Sequence, residues 1–225
     1  SEVFFLEAIA YRSHAQTKFV VSKIIDGEIG ELKSVESTFG FFTKKIKPKS
    51  RLYNLNLGGG AILDVGCYPV SFSTLLANLD QKNIPDPEIL DVSGSICKTG
   101  VDEIAYASLV FEKKITAKIG TAIRLQMKNQ TSVIGTKGNI LINDPWLPNK
   151  KSTIEINSKQ RYYKSFINSE LDIFANQIDN VNRCILNGKK EADFPGVRWK
   201  DTIKNMLIID KWKKKLIEIN NEKKY

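Results

Sequence analysis

The sequence predicts an α+β fold: an open, predominantly antiparallel β-sheet with helices packed on one face. Three observations carry that expectation. From about Ile89 to Ile142 the apolar residues recur with a period of two, the spacing of strands with two distinct faces. Two hairpin signals interrupt that region. Segments on either side of it repeat every three or four residues instead, as helices do. Successive hairpins flanked by helices at both ends give the α+β arrangement.

Taken in order, "VFFLEAIA" (3–10) reads as a buried strand and "AQTKFVVSKIIDG" (15–27) as a helix stopped by Gly27. "ELKSVESTFGFF" (31–42) returns to β-branched and aromatic content. The polar "TKKIKPKSRLYNLNL" (43–57) reads as a long loop, a kind of segment that tends to be functional inside compact domains. "PVSFSTLLANL" (69–79) is helical. In "ITAKIGTAI", Ile115, Ala117, Ile119 and Ile123 share one face and Lys118 lies on the other. "YASLVFEKKITAKI" reads as two strands joined at Lys113–Lys114, and "SVIGTKGNILI" as a hairpin with glycines at its tight positions.

"ELDIFANQIDNVNRCILNG" (170–188) is a helix with Gly188 beyond its end. In the final segment, 198–225, Trp199, Ile203, Met206, Ile209, Trp212, Leu216 and Ile219 form the stripe of an amphipathic helix. A single domain spans residues 1–225. Both faces of "EIAYASLVF" (103–111) are apolar: Ile104, Tyr106 and Val110 on one, Ala105, Ala107, Leu109 and Phe111 on the other. Helices cover one face, and a second copy of the chain is the economical cover for the other, so the sequence predicts a homodimer through the open sheet.

The 225 residues carry 42% hydrophobic and 26% charged side chains, ordinary for a soluble globular protein and enough for a proper core. No apolar run approaches the roughly 18 residues of a membrane span, and the first ten residues lack the basic leader of a signal peptide. Three cysteines, Cys67, Cys97 and Cys184, show no metal spacing, and their odd number argues against a disulfide framework. A cytoplasmic setting fits these features. The net charge of +9 would suit nucleic acid or an anionic membrane. However, residues 198–225 alone hold nine Lys/Arg against four Asp/Glu, as the solvated face of one helix would. Neither nucleic acid nor membrane is expected as a partner.

The chemistry concentrates in "LGGGAILDVGCYPV" (57–70). A dinucleotide fingerprint needs glycines at relative positions 1, 3 and 6 after a strand; Gly58 and Gly60 comply, but position 63 is Leu and a loop comes before. No Walker-type lysine follows. The remaining reading is a glycine-started helix that sets Asp64 and Tyr68 four apart on one face. Gly66 would leave bare backbone for a ring or sugar to approach, and Pro69 would kink the helix at Tyr68. A phenol beside a carboxylate suits acid/base work; a capping aspartate and a core tyrosine are the structural alternative. Free tyrosine titrates near 10, so acid/base work at neutral pH needs a cation close by.

"EAIAYRSHAQ", "IDGEIGEL", "LGGGAILDVGCYPV", "GVDEIAYASLVF" and "SVIGTKGNILIND", in this order, resemble the C-terminal domain of the glucose–fructose oxidoreductase / inositol dehydrogenase (Gfo/Idh/MocA) family. The chain is most similar to tyrosine-bearing members such as the dihydrodiol and xylose dehydrogenases. The resemblance covers almost the whole chain and implies a glyceraldehyde-3-phosphate dehydrogenase-like C-terminal domain. It implies the substrate-binding and dimerisation part of an NAD(P)-dependent oxidoreductase acting on a sugar, polyol or related hydroxyl by hydride transfer.

In that reading Tyr68 exchanges the hydroxyl proton, and Asp64 orients the substrate or tunes Tyr68. Arg12 and Tyr11, at the crossing between the two domains of such enzymes, are the candidate cofactor contacts. NAD or NADP would be bound mainly by an N-terminal Rossmann domain, whose lysine would be the cation that Tyr68 needs; that domain is not part of these residues. The chain alone is therefore expected to be inactive. The family's "HPQ" reads His14–Ala15–Gln16 here, which makes His14 a helix-start residue rather than a catalyst. Two other readings stand beside this one. The chain could be a free-standing sugar-binding or scaffold domain without a cofactor site, or a basic nucleic-acid or membrane-surface binder that shares only the fold.

Overall fold

The computed structural model describes residues 3–79, 86–159 and 161–222. Eight strands form one sheet: β1 (Leu32–Gly40), β2 (Glu88–Ile96), β3 (Asp102–Val110), β4 (Thr116–Ala122), β5 (Thr131–Gly135), β6 (Gly138–Ile142), β7 (Lys151–Ser158) and β8 (Tyr162–Asn168). Their order across the sheet is β2-β3-β4-β1-β5-β6-β7-β8. β1 and β4 run parallel; every other neighbouring pair among the described residues is antiparallel. The parallel pair arises because the chain leaves β1, passes through a helix and the β2–β3–β4 meander, and returns beside β1 in the same direction.

Four α-helices among the described residues accompany the sheet: α1 (Ala15–Ile25), α2 (Cys67–Ala77), α3 (Ile173–Leu186) and α4 (Trp199–Glu222). α2 and α4 pack against each other and against the sheet, with α4 lying along β2. The main core includes Val35, Ala105, Ala107, Leu109, Ala117 and Ile119 from the strands and Phe72, Leu76, Trp212 and Leu216 from the helices. Each large side chain withdrawn from water there contributes about 1.5–3 kcal/mol. A second, smaller cluster of Tyr53, Ala61, Cys97, Val101 and Ile123 lies beneath the 43–57 loop, with Phe41, Ile46 and Leu52 packed on it.

The period-two region holds the five strands β2 to β6, separated by turns and by an irregular stretch between Ala122 and Thr131, and the division of β3 is as its alternation predicts. Ala105, Ala107, Leu109 and Phe111 are buried, whereas Tyr106 on the other face is 40% exposed. Ile104 and Val110 beside it are half-buried. That open face is mixed in character, since it also carries the Glu36–Lys118 ion pair.

Two elements differ from the sequence expectation. Residues 3–10 form no strand: Phe5 donates one backbone bond to the Lys190 carbonyl, and a tight 3-10 turn follows at Ala10–Ser13. A strand needs a neighbour to complete its ladder, and the sheet ends at β2 and β8, neither paired with this segment. In α4 the predicted stripe holds for Ile209, Trp212 and Leu216, which are fully buried, but Trp199, Ile203 and Met206 are exposed. The inward face at that end carries Asp201, Asn205 and Ile208 instead. The cause is electrostatic, because Asp201 turns in to meet the buried Arg12 at 3.4 Å. Residues 223–225 of the predicted helix lie outside the described residues.

The stretch Leu55–Ala77 is long and apolar enough to cross a membrane by length and composition, which the count of consecutive apolar residues did not reveal; 72% of its apolar window is buried inside the fold. Its apolarity is that of a core helix.

Candidate active site

The three glycines fasten a loop to a helix. Gly59 donates its N–H to the Asn54 carbonyl and Gly60 to the Leu52 carbonyl, both at 3.0 Å, and Gly58 donates to Leu55. These N–H groups are used internally, so the turn is no phosphate cradle. A Cβ on Gly59 would lie 2.8 Å from the carbonyl oxygens of both Arg51 and Leu52, and Gly60 sits at φ +116. Only glycine permits that approach and that backbone. The helix that follows is capped from outside its own segment, by Asp102 at the start of β3, which accepts from the Ile62 N–H at 2.6 Å. Burial raises the Asp102 carboxyl above its ordinary range, and the Ile62 N–H opposes that rise.

Between this cap and α2 the helix widens into a π-helical turn, Ile62–Gly66. Pro69 has no N–H for the carbonyl four residues back and its ring crowds that position. The widened turn just before it accommodates both problems, where the sequence predicts a kink. Such single π turns recur at functional sites. Asp64 lies within the turn and Tyr68 just past it, both half-buried. Gly66 corrects an expectation. It is buried, and a Cβ there would stand 3.2 Å from the Trp212 ring and 3.3 Å from the Thr121 methyl. Its bare backbone serves helix packing against α4 and β4 and is closed to a ligand.

The Tyr68 ring stands edge-on to Phe39 and Trp146, with centroids 5.1 and 6.2 Å away, and tilted to Tyr11 at 5.9 Å. Trp146 is buried and bonded through Nε1 to the Thr38 carbonyl at 2.8 Å, a rigid back wall. Among the described residues the Tyr68 hydroxyl has no hydrogen-bond partner. Burial raises its pKa, and Cys67 and the Asp64 carboxylate push it the same way. The adjacent Cys67 thiol is pushed up to about 12, chiefly by burial, and stays a neutral thiol.

Asp64 is held by Arg51, whose Nη2 lies 2.5 Å from Oδ1. Sequence reasoning missed this partner, although Arg51 is the one arginine in a lysine-rich loop, and a planar guanidinium is the cation suited to holding a carboxylate. Asp64 therefore meets Tyr68 through its field rather than through a hydrogen bond.

Tyr11 and Arg12 are both turned inward. Tyr11 is buried, and its hydroxyl donates to the Tyr68 carbonyl at 3.2 Å. Arg12 is buried too: Nε donates to Pro195 O, Nη1 to Ser71, and Nη2 to Gly196 O and Asp201. With every nitrogen engaged inside the domain, Arg12 is a brace between the first turn, α2 and α4. His14 caps α1, its Nδ1 accepting from Gln16 N at 3.1 Å, as the sequence predicts. Burial lowers its pKa and keeps it neutral.

The fold is shared with solved oxidoreductases. The chain matches an aldose-aldose oxidoreductase from Caulobacter crescentus, complexed with glycerol, at a TM-score of 0.76 and 22% identity, over 92% of this chain and 60% of that one. It matches a 3-ketoreductase from Actinomadura kijaniata, in complex with NADP and TDP-benzene, at a TM-score of 0.75 and 22% identity, over 92% and 61%. A profile of the GFO/IDH/MocA C-terminal domain matches residues 20–141, and the chain belongs to that family. Among curated proteins it is 31% identical over 197 residues to a trans-1,2-dihydrobenzene-1,2-diol dehydrogenase of Xenopus tropicalis, covering 84% of this chain and 56% of that protein. A human protein of the same name is 31% identical over 147 residues, covering 65% and 42%. The chain thus spans about half the length of the curated relatives it matches.

Proposed function

We propose that this chain is the substrate-binding and oligomerisation domain of an NAD(P)-dependent oxidoreductase acting on a sugar, polyol or related hydroxyl, with Tyr68 as the proton donor and acceptor. The observation that carries the reading is the Tyr68 hydroxyl: half-buried, backed by Trp146 and Phe39, and without a hydrogen-bond partner among the described residues. A phenol so placed is ready to bond a substrate oxygen and move its proton. Asp64, fixed by Arg51, orients the neighbouring hydroxyl. The nicotinamide supplies or takes the hydride when bound. Because Tyr11 and Arg12 are turned inward and the glycine N–H groups are used, a separate Rossmann domain would hold most of the dinucleotide. NAD against NADP would be chosen there.

The raised Tyr68 pKa fits the same division of labour. Burial and Asp64 favour the neutral phenol in this domain, so a cation from the cofactor side would bring it into range. The open face of the sheet, which carries Tyr106, is proposed to pair with a second copy; light scattering that gives a monomer at micromolar concentration would exclude this. The activity is tested by assaying NAD(P)-dependent oxidation of xylose, glucose and aromatic trans-dihydrodiols by the protein as its gene encodes it. No turnover on any hydroxyl compound, with sugar binding retained, would instead favour a non-catalytic sugar-binding domain.

A further inference from the structure

The loop between β1 and the glycine turn holds an unusual distribution of charge. From Ser37 to Leu63 there is no acidic residue, while Lys44, Lys45, Lys47, Lys49 and Arg51 fall within eight positions. Arg51 is paired with Asp64. The four lysines make no ion pair among the described residues. They are exposed, and three of them, Lys44, Lys45 and Lys47, line a cavity of about 500 Å³ together with Thr43, Ser50 and Tyr53.

This loop is not a loose charged fringe. At one end Thr43 donates its N–H to Ile123 O, and Arg124 donates to the Thr43 carbonyl. At the other end the glycine turn bonds Leu52 and Asn54, and Ser50 bonds back to Lys47 O through both its N–H and its hydroxyl. In the middle Ile46 packs on the small core with Leu52. Anchoring Ile46 leaves Lys45 and Lys47, on either side of it, free at the cavity. Unpaired cations around a cavity on a pinned backbone form a preorganised site for negative charge, since little ordering remains to be done on binding. Arg51, next to Ser50 and Leu52 of the cavity lining, ties the same loop to Asp64.

We propose that the 43–53 loop is the anion-holding arm of the active site: the substrate carries a phosphate or carboxylate group remote from the hydroxyl that Tyr68 serves. The inference rests on the Tyr68 reading and adds the charge class of the substrate to it. Lys44, Lys45 and Lys47 bind the charged group, and Asp64 and Tyr68 receive the hydroxyl end.

The test is titration of the ¹⁵N-labelled chain with glucose 6-phosphate, glucuronate, glucose and inorganic phosphate, following amide shifts. One charged sugar, or both, should bind roughly tenfold more tightly than glucose and shift both the 43–53 loop and residues 64–70. Which of the two prevails tells phosphate from carboxylate. The preference should fall at high salt and vanish in the Lys45→Gln/Lys47→Gln variant, whose thermal midpoint and glucose-induced shifts should be unchanged. Equal binding of charged and neutral sugars at 64–70 overturns the anion arm and leaves the Tyr68 reading standing. Loop shifts that inorganic phosphate reproduces in full, with no response at 64–70, also overturn it, because the loop would then hold an anion unconnected to the substrate. The Tyr68 reading fails separately, if Tyr68→Phe keeps full turnover.

Discussion

Asp102 of β3 caps a helix that begins forty residues before it, accepting the Ile62 N–H at 2.6 Å from a position that is 1% exposed. This bond, with that of the Thr121 hydroxyl to the Ala61 carbonyl at 3.1 Å, joins the sheet to the turn that carries Asp64. Asp102→Ala should therefore cost about 2 kcal/mol of stability, the worth of a buried bond to a charged group, read as a lowered urea midpoint. Asp102→Asn keeps an acceptor and removes the titration. Because burial raises the native pKa, the stabilising contribution is full below the unfolded value of about 3.9 and is lost as pH rises through the native one. The Asn variant should thus gain on the wild type as pH rises, in midpoints measured from pH 3 to 7.

Tyr68→Phe separates chemistry from packing. The hydroxyl has no partner among the described residues, so its loss should change stability by less than about 0.5 kcal/mol. Turnover in the protein as encoded should fall by about 10²–10⁴. A large stability loss with unchanged kcat would make Tyr68 a core tyrosine.

Asp64→Asn removes a negative neighbour and releases Arg51. Both changes favour the phenolate, so the Tyr68 pKa should drop. A ¹³Cζ tyrosine titration by NMR reads the direction, and an unchanged or raised value would show that Asp64 does not tune Tyr68.

Arg12→Ala removes the brace between the first turn, α2 and α4. Asp201 keeps Arg198 as a partner at 3.3 Å, but Pro195 O, Ser71 and Gly196 O lose their buried donor, which should cost about 1–3 kcal/mol. Should the variant instead fold with wild-type stability and raise only the KM for NAD(P), Arg12 would be a cofactor contact after all.

Gly66→Ala would crowd the Trp212 ring at 3.2 Å. Wide rings in a packed core yield little, so a loss of about 1–3 kcal/mol is expected in thermal or urea unfolding. A ligand-facing Gly66 would show lost sugar affinity at unchanged stability.

Much of this was legible in the sequence because it depends on near neighbours. The two-residue period through β2–β6 marked the sheet, and the Thr136–Lys137 turn made its hairpin. His14 read as a helix start, and Asp64 and Tyr68 stood out by their place after three glycines. The same local reasoning failed where a distant group decided the outcome. Composition made residues 3–10 look like a strand, but no sheet edge receives them. Hydrophobic spacing alone rotated the first turns of α4 wrongly, because it could not register Arg12, 189 residues away, drawing Asp201 inward.

By itself, then, the sequence determined the α+β class, the family resemblance and the pair of residues on which the chemistry is proposed to turn. These follow from periodicity and motif, which short-range sterics and side-chain polarity impose. Only the tertiary structure decided that Arg51 holds Asp64, that Asp102 caps the helix, that Gly66 faces Trp212, and that Arg12 is a brace. Each of those depends on a partner brought close by the fold, and a buried charge or a missing Cβ has no defined role until its surroundings are fixed.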